Sequence, residues 1–278
     1  MTDFAAVVLA GERADRDALR DHTGVACKAL LEIDGTPMIR RVIAALEEAG
    51  SIASIRLSGP VEECVRAEPG LAALIDAGRA TWSAPGPTPS TSAYAMLSAV
   101  PGDQPVLITT ADHPLLTAEI VDHFCNDRAL GDYDVVIGLA PYDLVRQTFP
   151  DLKKTVLRFR DGQFCGCNLF GFLTEDGRRM ADFWRRVEKD RKKPLVVIRL
   201  LGLWALLRYR MGWLTLENAL SLLSRKVGLR IGAVILPYAH ASVDVDSVED
   251  YLHLQRYANT QGASGKATGT EPAPAGRG

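Results

Sequence analysis

Residues 4–10 read FAAVVLA, an apolar run with no polar break that stops at Gly11. A strand with one face in water alternates apolar and polar residues. An unbroken run therefore belongs to a strand covered on both faces, as in a parallel sheet held between helix layers. The segments that follow fit the same plan. Residues 37–49 (PMIRRVIAALEEA) carry apolar side chains at helical spacing, open on Pro and stop at Gly50. Residues 54–59, 80–84, 105–110 (PVLITT) and 134–139 (DVVIGL) are further strand candidates, with helices over 92–100 and 117–129. This alternation predicts an α/β fold: a Rossmann-like, mostly parallel sheet with flanking helices.

After residue 141 the rhythm changes. Residues 156–159 and 164–173, split by Asp161-Gly162, predict a hairpin. Residues 178–191, 195–210 and 216–227 predict helices, 231–238 a strand and 247–257 a last helix. The expected organisation is a single domain over residues 1–258, in which 141–230 form a hairpin and helical elaboration beside the main sheet. Residues 259–278 are small, Gly/Pro-rich and without apolar anchors, which predicts a disordered tail.

Composition narrows the function classes. Among 278 residues, 32 Lys and Arg stand against 34 Asp and Glu, so the basic excess of a nucleic-acid binder is missing. The five cysteines are odd in number, and the first residues carry acid where a secretory leader carries positive charge; the expected compartment is the reducing cytoplasm. Cys165 and Cys167 read as strand residues rather than as half of a zinc site. Residues 189–210 (KDRKKPLVVIRLLGLWALLRYR) join a basic run to an apolar stretch broken by Arg199, short of the roughly 20 apolar residues a membrane span needs. They predict a helix buried in the core or in a homodimer interface, with a basic-flanked helix lying on a membrane surface as the alternative.

Open α/β sheets bind ligands beyond the carboxyl ends of their strands. There, Ala10 and Gly11 let main chain approach a phosphate, and Arg13 supplies a cation. Residues 13–28 form a long polar loop that ends in Lys28, a second cation for the same anion. Asp112, just past strand 105–110, is placed as a Mg²⁺ ligand, because Thr117 fits the following helix cap better. In residues 242–250 (SVDVDSVED), Ser247 or Asp246 caps the last helix with Asp250 closing a capping box. Asp246 is also placed as a second metal carboxylate, and Asp244 shares its face if the segment is extended. Lys154, Arg158 and Arg160 share strand parity around the hairpin and offer cations to a second anionic ligand.

VVLAGER, CKALLEIDGTPMIRRVIAAL, TTADHPLLT and VDVDSVEDY occur in an order that resembles MobA-like nucleotidyltransferases, from about residue 4 to 257. The resemblance implies Mg²⁺-dependent transfer of a nucleotidyl group from a nucleoside triphosphate, CTP or GTP, to a phosphorylated small-molecule acceptor with release of pyrophosphate. It implies that Gly11, Arg13 and Lys28 bind phosphate, with Lys28, Arg13 and Asp112 catalytic, and that Asp112 and Asp246 hold Mg²⁺. It further implies that Ala10, Pro89, Ser90 and Ser92 meet the nucleotide and that Asn168 lines the acceptor pocket; with such an acceptor, the parity of Lys154 and Arg158 makes them the expected cations for its phosphate. Two features depart from the family pattern. Glu12 stands where a second Gly is usual, and the R-M-G-x-D-K signature is missing, which argues against molybdopterin as acceptor. Two other functions fit parts of the pattern: a metal-dependent glycosyltransferase using Asp244-Val245-Asp246 as a D-x-D, and a non-catalytic nucleotide-binding regulator, which Glu12 favours.

Overall fold

A computed structural model describes residues 3–12, 17–188 and 203–266. In chain order, β1 (Phe4–Leu9) leads to α1 (Asp17–Thr23), a 3₁₀ turn over Lys28–Leu30, the short hairpin β2 (Glu32–Ile33) and β3 (Thr36–Pro37), and α2 (Met38–Glu48). Then come β4 (Ile52–Ser58), α3 (Glu62–Ala67), α4 (Pro69–Asp76), β5 (Thr81–Ser83), α5 (Pro89–Ser98), β6 (Val106–Thr110), α6 (Ala118–Cys125) and β7 (Val135–Pro141). The second half holds α7 (Tyr142–Thr148), β8 (Leu157–Phe159), β9 (Gly162–Phe172), α8 (Arg179–Glu188), α9 (Leu203–Arg210), α10 (Leu216–Val227), β10 (Ile231–Ile235) and α11 (Val248–Lys266).

The main sheet runs β10-β7-β9-β6-β1-β4-β5, with β8 paired to β9. Every pairing in it is parallel except those of β9, which is antiparallel to β6, β7 and β8. The unbroken apolar run at the start now has its cause. Ala6 and Val8 pack with Ile39, Val42 and Leu46 of α2, while Ala5, Val7 and Leu9 pack with Ala93 and Leu97 of α5. Both faces of β1 are thus sealed by helices, and each of its residues is buried.

Register places the functional rim. Leu9 of β1 pairs with Ser58 of β4 and with Thr110 of β6, so three strands end level with one another. Main-chain bonds Ala10 N–H to Ser58 O (2.8 Å) and Ala111 N–H to Leu9 O (3.0 Å) carry the alignment past the strand ends. Gly11 and Asp112 therefore emerge side by side. Gly59 is required at this rim. Its φ is +86°, and a Cβ there would come within 2.9 Å of the Ala10 carbonyl carbon.

The mostly parallel α/β sheet expected from the sequence is the one observed, and the hairpin is present as β8–β9. Four local expectations need correction. The sheet is not complete before residue 141: β9 inserts between β6 and β7, and β10 joins β7 at the edge. The loop expected over 13–28 contains α1, and the short helices α3, α4 and α7 carried too few turns to show a periodicity. The last helix continues to Lys266, into the segment expected to be disordered; residues 267–278 and 189–202 lie outside the described residues. Finally, the odd cysteine count concealed a pair: Cys27 is bonded to Cys64 with Cα atoms 6.3 Å apart, while Cys125, Cys165 and Cys167 are buried thiols. Cys165 and Cys167 are strand residues of β9, as expected, and burial pushes both thiols up, which makes them inert.

Of the helix expected over 195–210, the described part is α9. Leu207 there, and Met211 and Trp213 just beyond it, are exposed, so these side chains are not part of the core. No helix among the described residues is long and apolar enough to cross a membrane.

Candidate active site

Lys28 opens the 3₁₀ turn that follows Cys27. Its Nζ donates to Oδ2 of Asp112 and, at 3.0 Å, to Oδ1 of Asp246. Asp112 comes from the end of β6. Asp246 is brought to it by a main-chain bond, Val245 N–H to Asp112 O at 3.0 Å. The chain then turns into α11 through a capping box. Ser247 Oγ accepts from Asp250 N–H (3.2 Å), and Asp250 Oδ2 accepts from Ser247 N–H (2.9 Å) and Asp246 N–H (3.1 Å). At the other end of the site Thr117 caps α6 by accepting from Ile120 N–H at 3.3 Å, which leaves Asp112 out of any capping role, as expected.

These side chains open onto a cavity of about 490 Å³ at the carboxyl ends of β1 and β6. Ala10, Gly11, Lys28, Pro89, Ser92, Asp112, Asn168 and Asp246, all expected at the site, line it together. Other expected residues do not. Ser90 is fully buried in the first turn of α5, beneath the surface that Pro89 and Ser92 present. Arg158 lies exposed on β8, with Nη1 donating to Gln163 Oε1 at 3.1 Å, and does not reach the cavity. The shared parity with Lys154 fails because Lys154 precedes β8, outside the strand. Arg13 lies outside the described residues.

Lys154 reaches the site at one remove. Its side chain is only 9% exposed, and its Nζ donates to Asp244 Oδ1 at 2.5 Å. Asn168 Nδ2 donates to Asp244 Oδ2 at 2.9 Å. Asn168 can do this because β9 is irregular here: Ile137 pairs with Phe170, but Leu139 pairs with Gly166. The extra residues bulge, and Asn168 takes φ +50°, a left-handed conformation that Asn tolerates better than most side chains. A D-x-D site would turn both carboxylates onto one ion. Here Asp244 is held by Lys154 and Asn168, whereas Asp246 is held at Lys28.

Glu12, the departure from the family pattern, lines the cavity with both carboxylate oxygens engaged. Its Oε1 accepts from the Lys28 main-chain N–H at 2.7 Å and its Oε2 pairs with Arg20 of α1. His113, next to Asp112, is buried, with Nε2 3.2 Å from the His240 carbonyl oxygen; burial pushes its pKa below the usual imidazole value. Sequence reasoning missed Arg20, Asp244 as the partner of Lys154, and the aromatic pair Phe170 and Trp184 that completes the cavity wall. The D-x-D parity flagged Asp244. Nothing in the spacing from Glu12 to Arg20 could have announced their contact.

Two observations bear on a metal. Asp112 Oδ1 and Thr110 Oγ1 are buried at the cavity with no hydrogen-bond partner among the described residues. Two carboxylates also converge on a single ammonium. Among the described residues no group of three or more acidic, His or Cys side chains forms a closed cage. Two carboxylates with room for substrate oxygens is a donor set that suits Mg²⁺.

The MobA-like NTP transferase domain model matches residues 6–150. A solved structure described as a hypothetical transferase from Thermus thermophilus is 30% identical, with a TM-score of 0.73 over 90% of this chain and 100% of that one. The chain is also similar in fold to a CMP:2-keto-3-deoxy-manno-octonic acid synthetase complexed with CTP (12% identity, TM-score 0.55, 95% and 99% of the chains covered). A 4-diphosphocytidyl-2C-methyl-D-erythritol synthase from Anaerococcus prevotii DSM 20548 is similar to the same degree (13% identity, TM-score 0.54, 93% and 99% covered). At such identities these two likenesses speak for the fold alone. No curated protein matches the sequence. The level strand ends, the Lys28–Asp112–Asp246 cluster and the match over residues 6–150 agree: the chain belongs to the MobA-like NTP transferase domain family and is an enzyme of the nucleotidyltransferase kind.

Proposed function

We propose that the enzyme transfers a nucleotidyl group from CTP or GTP to a phosphorylated small molecule, with Mg²⁺ and with release of pyrophosphate. The observation that carries this reading is the convergence of Lys28, Asp112 and Asp246 on one cavity beside Gly11. Asp112 and Asp246 would hold the metal, whose role when bound is to neutralise triphosphate oxygens. Lys28, released from the carboxylates, then faces the substrate. Its ammonium stabilises charge at the α-phosphorus and on the leaving pyrophosphate, a role that Arg13 would share.

The acceptor is a phosphate monoester with a second pKa of about 6, so its attacking oxygen is already anionic near neutrality and needs no general base. That oxygen bonds to the α-phosphorus, the bond from the α-phosphorus to the bridging oxygen breaks, and the electron pair leaves with pyrophosphate. The protein's work is positioning and charge cancellation. The first turn of α5, with Pro89 and Ser92 on the cavity and Gly86 N–H bonded to Ser92 Oγ at 2.8 Å, supports a nucleotide-binding role for that end. Asn168, with Asp244 and Lys154 behind it, supports an acceptor role for the other.

The test is pyrophosphate release with each ribonucleoside triphosphate, Mg²⁺ and a panel of phosphate monoesters, alongside thermal shifts. One triphosphate should raise the melting temperature, by the equivalent of about 2.7 kcal/mol at a hundred times its Kd, and should yield pyrophosphate only with acceptor present. No shift with any triphosphate would overturn the reading.

A further inference from the structure

Glu12 is held by two donors of a kind suited to phosphate. The first is the main-chain N–H of Lys28, which opens a 3₁₀ turn, where the leading N–H groups have no partner within the turn. The second is the guanidinium of Arg20, planar and permanently charged. Glu12, Arg20 and Lys28 all line the cavity that carries Asp112 and Asp246. A carboxylate bridging a main-chain N–H and an Arg is held as a phosphate oxygen would be, through charge-assisted hydrogen bonds.

We propose that Arg20 and the Lys28 N–H form a cradle for the terminal phosphates of a polyphosphate, and that Glu12 is its built-in occupant, displaced when the ligand enters. The inference rests on the nucleotidyl-transfer reading for the presence of a polyphosphate in this cavity and for its consequence in turnover. Glu12 competes with both the triphosphate and the product pyrophosphate. It weakens the hold on each and eases release of pyrophosphate after transfer. A glycine at this position would leave the cradle open and the product bound more tightly.

The experiment titrates inorganic pyrophosphate, nucleoside triphosphates and nucleoside monophosphates, each with Mg²⁺, into the wild-type enzyme and the Glu12→Gly, Glu12→Gln, Arg20→Ala and Glu12→Gly/Arg20→Ala variants. Glu12 and Arg20 are exposed, so the folded enzyme can be compared throughout by melting temperature. Both Glu12 variants should bind pyrophosphate and triphosphate more tightly, Glu12→Gly by about tenfold, with monophosphate affinity unchanged. The double variant should lose that gain. In turnover, Glu12→Gly should lower KM for the triphosphate and increase product inhibition by pyrophosphate. Pyrophosphate affinity indifferent to Glu12 and Arg20, or an equal gain for monophosphates, would overturn the cradle even where triphosphate is still turned over. A Glu12-dependent gain in pyrophosphate affinity would sustain it even if no acceptor reacts, which separates its failure from that of nucleotidyl transfer.

Discussion

Lys28 Nζ lies 3.0 Å from Oδ1 of Asp246, a residue 218 positions further along the chain, and is bonded at the same time to Asp112. Without ligand, the ammonium is the counter-charge for both carboxylates. Its side chain is 17% exposed and that of Asp112 is 21% exposed, and Asp246 gives the ammonium a second carboxylate partner. Replacing Asp112 with Asn removes a charge needed for a divalent ion yet keeps the side-chain shape. Asp112→Asn should lower turnover by about a hundredfold or more. Its melting temperature should stay close to wild type, because Asp246 remains as counter-charge to the ammonium and the charge of a carboxylate whose buried Oδ1 has no hydrogen-bond partner among the described residues is removed. Steady-state kinetics and calorimetry check the pair of outcomes; a rate near wild type would remove Asp112 from the metal site.

Asn168 separates a backbone demand from a side-chain demand. Its φ of +50° favours Asn or Gly, while its amide is needed to hold Asp244. Asn168→Ala loses both and should destabilise the protein by about 1–2 kcal/mol. Asn168→Gly keeps the bulge and should be the more stable of the two. Both variants should raise KM for the acceptor, with the triphosphate KM little changed. Denaturant titration and two-substrate kinetics distinguish the effects. If the two variants unfold alike, the backbone conformation is not what selects Asn.

The Lys154–Asp244 pair is an electrostatic unit that the fold has largely enclosed. Lys154 is 9% exposed and Asp244 28% exposed. Removing the cation alone, as Lys154→Met, leaves a partly buried carboxylate with Asn168 as its remaining partner in this cluster, and should cost about 2–3 kcal/mol. The double variant Lys154→Met/Asp244→Asn should recover part of that loss, since neither charge then lacks a partner. A double-mutant cycle by urea unfolding measures the coupling; strictly additive losses would contradict it.

Much of this architecture was legible because it rests on short-range patterns. The FAAVVLA run announced a strand covered on both faces, PMIRRVIAALEEA announced a helix, and Thr117 and Ser247-Asp250 announced their caps. The rule that sites form at strand carboxyl ends pointed to Gly11 and Asp112, whereas the joining of Lys28 and Asp246 to them, from separate segments, came from the resemblance to the family. What stayed hidden depends on pairing between distant strands. The insertion of β9 between β6 and β7 buries Lys154 against Asp244 and leaves Arg158 on an outer strand, and no parity count along one segment can show that. The Glu12–Arg20 contact was hidden for a different reason: α1 is too short to reveal its helical period in a polar stretch.

Asp134 supplies a pH test away from the cavity. Its carboxylate accepts from Arg230 N–H (2.8 Å), Arg230 Nη2 (2.8 Å) and Thr174 Oγ1 (3.1 Å), tying the start of β7 to the chain entering β10 and leaving β9. The Arg230 guanidinium is the main reason its pKa is lowered to about 2. An unfolded Asp titrates near about 3.9, so the folded state favours the charged form. The contribution is fully present well above that value, fades as pH falls through the window between the two values, and is gone once both states are protonated. Asp134→Asn should therefore lower the melting temperature relative to wild type near neutral pH, and the gap should narrow below about pH 4. Melting curves of the two proteins across that range provide the measurement. A gap that stays constant down to strongly acidic pH would show that the charge on Asp134 is not what joins these strands.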